Sequence, residues 1–181
     1  MDRSPSDVEA RLAQRLRALR TERALTLEGL AERSGVSRSM ISLIERGESS
    51  PTAAILDRLA TGLGLSLAAL FADSERPDAD PVARRATQPV WRDPETGYRR
   101  RHLSPLGYPT PIELVEVEFP AGARVAYESA PLGIGIRQQI WVIEGTMELT
   151  VGERVHRLDE GDLIGRLALP PVEALQGEGV G

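Results

Sequence analysis

The sequence predicts an α+β chain of two domains, an all-α module of five helices followed by an all-β barrel, and three observations carry that reading. In the first 72 positions apolar residues recur at spacings of three and four, as in short helices that each bury one stripe. Beyond residue 89 they fall instead in short runs rich in β-branched and aromatic residues, bounded by proline or glycine, which is the pattern of strands. Between the two, residues 73–81 read Asp-Ser-Glu-Arg-Pro-Asp-Ala-Asp-Pro, charged and without apolar periodicity. That composition marks a linker over 73–89, so the expected domains are 7–72 and 90–181.

The first helix, over 7–23, follows from Val8, Leu12, Leu16 and Leu19. Thr26 is placed as the N-cap of a second helix of about two turns, with Ser34-Gly35 as its stop. Ser37 is the next N-cap, opening a third short helix that Gly47 ends. Pro51 is suited to the first position of a fourth helix with Ile55, Leu56, Leu59 and Leu63 on its buried side, and 65–71 completes a fifth element. Strands are expected at 112–119, 139–143 and 146–151.

Composition narrows the function classes. With no cysteine there is neither a disulfide framework nor a thiolate metal site, and no apolar run approaches the ~20 residues that span a bilayer. The start, Met1-Asp2-Arg3-Ser4-Pro5, lacks a basic segment followed by an apolar core, so a cytoplasmic protein without membrane contact is expected. The net charge of −5 argues against nucleic acid only until it is located. Between positions 11 and 50 stand eight arginines against five glutamates, and the acidic surplus lies elsewhere. Every basic residue is arginine, whose planar fork suits phosphate and guanine.

Two short capped helices joined by a glycine turn are what reading DNA in the major groove requires. Here the chain resembles the xenobiotic-response-element family of five-helix, lambda-repressor-like DNA-binding domains. The resemblance rests on Arg-Leu-Arg-Ala-Leu-Arg at 15–20, Leu30-Ala31, Ser-Gly-Val-Ser at 34–37, Ile-Ser-Leu-Ile-Glu-Arg-Gly at 41–47, Ser50-Pro51, and Leu59-Ala60 through Gly64. It implies that Arg38 and Ser39, in the first turn of the recognition helix, reach base edges, with Ser42 and Leu43 one turn on. Arg38 is the leading specificity residue, because guanidinium matches O6 and N7 of guanine. Ser37 caps that helix. Thr26, at the start of helix two, and Arg46 with Ser49, after helix three, are expected at phosphates. Many relatives carry glutamine after the helix-two cap; here it is Leu27, so that contact is not transferred. Arg20 and Glu45 resemble the family's partly buried ion pair between helices one and three.

The second half resembles a small cupin, a double-stranded β-helix barrel, through Phe-Pro-Ala-Gly at 119–122, Gln-Ile-Trp-Val-Ile-Glu-Gly at 139–145, Glu-Leu-Thr-Val-Gly at 148–152 and Leu-Asp-Glu-Gly-Asp at 158–162. Metal-binding cupins converge histidines and a glutamate on a divalent ion. In this chain the glutamate position falls on Gln138, the preceding histidine positions fall within 131–134, which hold no histidine, and the only histidines are His102 and His156. No metal and no cofactor is therefore expected. Tyr127, Gln138, Gln139, Trp141 and His156 are the candidate lining of a barrel mouth that takes a small-molecule effector, and the run Arg99-Arg-Arg-His102 is a candidate attractor for an anion. After Asp162 the family continues with further strands, whereas 163–181, with Leu-Pro-Pro-Val-Glu-Ala-Leu-Gln-Gly-Glu-Gly at 169–179, read as a loop. The barrel is then incomplete, with an unpaired edge.

The expected function is that of a transcriptional regulator, a repressor, binding an inverted-repeat operator in double-stranded DNA as a homodimer paired through 87–181. Two other classes stay open: a cupin enzyme recruited to DNA by its helical module, and an antitoxin-like DNA-binding partner of another protein.

Overall fold

Thr26, Ser37, Thr52 and Ser66 each turn a side-chain oxygen onto a backbone N–H three residues ahead, and those four caps set where the short helices begin. The computed structural model describes residues 5–73, 76, 78–127, 137–167 and 172–178. Its helices are α1 (Pro5–Glu22), α2 (Leu27–Ser34), α3 (Arg38–Glu45), α4 (Ala53–Gly62) and α5 (Leu67–Phe71). Gly35 ends α2 in the left-handed conformation at φ 66°, where a side chain would be strained, and so turns the chain into α3. Pro51 does not open α4: it is buried one residue before the cap, and Thr52 takes that role because its hydroxyl can accept the Ile55 N–H. Val8, Leu12, Leu16, Leu19, Leu30, Ile41, Ile44, Leu56, Leu59 and Leu70 fill the core between the helices. α2 meets α4 at Gly62, where an added Cβ would stand 2.9 Å from the Ser34 Cβ.

Among the described residues nine strands follow: β1 (Val90–Arg92), β2 (Arg99–His102), β3 (Val115–Glu118), β4 (Arg124–Tyr127), β5 (Arg137–Trp141), β6 (Thr146–Val151), β7 (Arg154–Leu158), β8 (Leu163–Leu167) and β9 (Val172–Glu178). They form antiparallel sheets in the orders β1-β2-β3, β4-β9-β6-β7 and β5-β8. The strand expected at 112–119 is confined to β3, and Ser104 holds the residues before it, its hydroxyl accepting the Leu114 N–H and donating to the Ile112 carbonyl. The tail expected as a loop is a correction. β8 pairs with β5 along its whole length, and β9 inserts between β4 and β6, so the edge expected to be bare is occupied. Two prolines at 170–171, just ahead of β9 in the sequence, made the tail read as a loop.

The segment expected as a linker is strapped to the rest. Asp73 pairs with Arg11 at 2.8 Å, the Arg76 N–H donates to the Gly107 carbonyl, residues 85–87 form a 3-10 turn, and Pro89 is buried. Five of the seven aromatic residues then gather where helices meet strands. Phe71 and Trp91 stand 5.7 Å apart, Trp91 meets Tyr98 edge-on, Tyr98 stacks on Phe119 at 4.9 Å, and the Tyr98 and Tyr127 hydroxyls lie 3.1 Å apart. Burial raises both phenols above their usual pKa, so both stay neutral. Trp91, Tyr98 and Val125 belong to the same apolar cluster as the helices, and the two halves therefore share one core.

Candidate nucleic-acid interface

The recognition element is built from its cap outward. The Ser37 Oγ accepts the Met40 N–H at 3.3 Å and lies 3.2 Å from the Ser39 Oγ, which fixes the first turn of α3. Ile41 and Ile44 face the core, as their spacing predicts, while Arg38 and Ser39 are exposed. No partner is found for the Arg38 guanidinium among the described residues, so its five donors face solvent. Leu43 is half-buried on the same helix. Thr26 is exposed, and its oxygen accepts the Gly29 N–H at 3.0 Å, leaving the O–H as the donor it can offer a phosphate.

After α3 the side chains are more committed than the sequence suggests. Arg46 donates from Nε and Nη2 to the two oxygens of Glu48, both at 2.8 Å, and from Nη1 to the Ser42 hydroxyl. Glu48 holds its neighbour's charge, and Arg46 in turn keeps the Glu48 carboxyl below its ordinary pKa. Two of the expected polar contacts, Ser42 and Arg46, are thus tied to each other, and Ser49 touches the Met40 sulfur at 3.8 Å. The Arg20–Glu45 pair is present as expected: Nε and Nη2 reach the two carboxylate oxygens at 2.6 and 2.8 Å, and Nη1 donates to the Leu25 carbonyl. Its role is to fasten the end of α3 to α1.

The five candidate effector residues stand on β4, β5 and β7, and line neither the cavity beneath α1 and α5 nor the cleft between α4 and β4. Tyr127 turns to Tyr98 at the helix–strand seam. Gln138, Gln139 and Trp141 are exposed on β5, Trp141 to 60%, in a sheet separate from that of β7. His156 lies half-buried on β7 opposite Leu149. Positions 131–134, compared with the metal motif, lie outside the described residues. The basic run on β2 is occupied and does not form an anion site: Arg99 and Arg101 pair with Glu118 and Glu116 at 2.6 Å, and Arg100 lies over the Phe71 ring at 5.6 Å. His102 places Nε2 3.1 Å from Glu113, but burial and the Arg100 charge lower its pKa to about 4, so a neutral imidazole donates that bond.

Sequence reasoning missed Asp93. It is 2% exposed; one oxygen accepts the N–H of Ala53 at the start of α4, and the other accepts the Thr96 N–H at 2.8 Å. A β-turn residue therefore caps a helix of the DNA-binding module. The signal was Asp-Pro-Glu-Thr-Gly at 93–97, a turn in which aspartate bonds its own backbone three residues on.

Capped α2, a tight turn and an α3 with polar residues in its first turn define a helix-turn-helix DNA-binding protein. Residues 16–70 match the helix-turn-helix family HTH_3. The chain is 30% identical over 151 residues to the HTH-type transcriptional regulator SutR of Escherichia coli (strain K12), a match covering 83% of this chain and 79% of that protein. To the HTH-type transcriptional regulator PuuR of the same organism it is 38% identical over 69 residues, 38% of this chain and 37% of that one. The crystal structure of an HTH_3 family transcriptional regulator from Vibrio cholerae superposes with a TM-score of 0.71 at 28% identity, over 96% of this chain and 92% of that chain. The chain belongs to the family of HTH-type transcriptional regulators. No described helix is long and apolar enough to cross a membrane.

Proposed function

We propose that the chain is a sequence-specific repressor that binds an inverted-repeat operator as a homodimer and is tuned by a small-molecule effector. The observation that carries the DNA-reading part is the front of α3, where Ser37 fixes the first turn and Arg38 is exposed with its donors unengaged. Arg38 reads a base edge, with Ser39 beside it and Ser42 and Leu43 one turn on. Thr26, Arg46 and Ser49 hold the phosphates on either side, Arg46 after exchanging Glu48 for a phosphate. The similarity to named transcriptional regulators supports this reading over an enzyme recruited to DNA.

The strand-rich half is, in this reading, a cupin-like barrel that pairs two copies. Its support is the nested order of pairing, β4 with β9, β5 with β8 and β6 with β7, which is how a folded-over hairpin builds a double-stranded β-helix. A single motif reads only a half-site, so two copies are needed, with recognition helices about 34 Å apart or a multiple of it. Selection from a randomised duplex pool tests the DNA reading and the pairing of two copies. The native chain should enrich two inverted half-sites, and Arg38→Ala should cost about 1–3 kcal/mol and flatten preference at one position of each. Enrichment of a lone half-site removes the dimer; an unchanged preference in the variant removes Arg38 from reading.

A further inference from the structure

Where the helices meet the strands there is a cleft of about 310 Å³, within the range of roughly 300–1,000 Å³ that holds small organic molecules. A second cavity, beneath α1 and α5 beside Pro89, offers about 20 Å³, room for about one water. Three elements wall the larger cleft: the start of α4 at Thr52 and Ala53, the β1–β2 turn with Asp93, Glu95 and Thr96, and β4 with Arg124. None of the residues expected to line a barrel mouth is among them.

The chemistry of the walls selects a ligand class. Asp93 is buried and its oxygens are occupied by Ala53 and Thr96, so it frames the cleft rather than attracting anything to it. Glu95 and Arg124 are exposed and carry opposite charges. A polyanion would meet Glu95 without a second cation, and a simple amine would face Arg124; the remaining wall is alanine, valine and hydroxyl. A compact molecule with both charges satisfies both groups. The position also matters. α4 begins seven residues after Arg46, and its first N–H is capped from the β1–β2 turn by the Asp93 carboxylate. Whatever draws Arg124 and Glu95 together bears on the start of α4, and through the five residues 47–51 on the end of the recognition helix.

We propose that this seam cleft binds a small zwitterion of the α-amino-acid class, its carboxylate on Arg124 and its ammonium toward Glu95, and that occupancy changes DNA affinity through α4. The proposal rests on the reading of the chain as a ligand-tuned regulator and moves the ligand from the barrel mouth to the seam.

Thermal unfolding of the full chain with each of the twenty common amino acids, at a few millimolar, tests it. At least one should raise Tm by about 5 °C or more, the shift expected when a ligand stands near 100-fold above its Kd. Acetate and methylamine, which carry one charge each, should not. Arg124→Ala and Glu95→Gln, both at exposed positions, should keep the unliganded Tm and weaken the effect at least tenfold, while Arg124→Lys restores part of it. The stabilising amino acid should also change the Kd for the selected duplex at least fivefold. No shift with any amino acid, an equal shift with acetate or methylamine, a shift that survives in both variants, or a duplex Kd indifferent to the ligand overturns the proposal. Duplex binding without ligand is measured on the same protein, so loss of the seam site and failure of the DNA-binding reading give different results.

Discussion

Glu45→Ala measures how firmly the recognition helix is fastened. Glu45 is the last residue of α3, its side chain is 7% exposed, and it takes two bonds at 2.6 and 2.8 Å from an Arg20 that is 15% exposed. Removing one partner of a buried pair strands the other charge, at a cost of about 3–5 kcal/mol. Arg20 keeps its bond to the Leu25 carbonyl and some contact with water, which places the loss near the lower end, about 3 kcal/mol. Against a total stability of about 5–15 kcal/mol that is a large share. Urea unfolding followed by circular dichroism reads it as a lower midpoint at unchanged slope. A double replacement, Arg20→Met with Glu45→Met, should recover most of the loss, because no charge is then buried alone. A loss in Glu45→Ala below about 1 kcal/mol, the range of exposed pairs, would refute the argument that this pair fixes α3 to α1.

Two further outcomes are expected. The His102 imidazole is neutral in the folded chain, with a pKa of about 4 against 6.5 when free; the unfolded chain therefore binds the extra proton between those values, and stability should fall as pH drops from about 6.5 to 4, by up to about 3 kcal/mol. His102→Gln should flatten the urea midpoint across that window, and an unchanged pH profile would show that the histidine is not the group responsible. Glu48→Gln should spare Arg46 the exchange of its carboxylate pair and tighten duplex binding several-fold, while Arg46→Ala should weaken binding to all sequences and lower the slope of log K against log salt by about 0.9; an unaltered slope in Arg46→Ala would mean that Arg46 meets no phosphate.

The parts of the fold legible in the sequence are those decided by neighbours a few residues apart. Thr26 and Ser37 were readable as caps because a side-chain oxygen three residues before an N–H suffices, and Gly35 because only a left-handed residue turns α2 into α3. Arg20 with Glu45 was readable through resemblance, not from spacing, since the two stand 25 residues apart. What could not be read was non-local. β9 looks like a loop, with glycine and charge and two prolines ahead of it, until it is set between β4 and β6, where Val172 meets Tyr127 and Leu175 meets both Val125 and Leu149 in register. The charged composition of 73–89 concealed a strap, because the groups it binds, Arg11 and the Gly107 carbonyl, lie far away in sequence. Trp141, read as lining from its place inside an apolar run, stands exposed on β5 opposite Leu163.

The shared core changes how such a protein would set the distance between two recognition helices. A flexible linker would leave that distance to be chosen on the DNA, and each half-site would bind nearly independently. Here α5 ends on Phe71, Phe71 packs on Trp91, Trp91 on Tyr98, and Tyr98 on Phe119, while Asp93 caps α4 from the sheet side. Moving α3 relative to the strands would have to break those ring contacts and uncover buried Trp91 and Tyr98, which are 3% and 0% exposed. Truncating either ring costs on the order of 3–5 kcal/mol, more than the 1–3 kcal/mol of a typical allosteric coupling. In the proposed dimer, helix spacing would then follow from the seam rather than from swinging the helical module about residues 73–89.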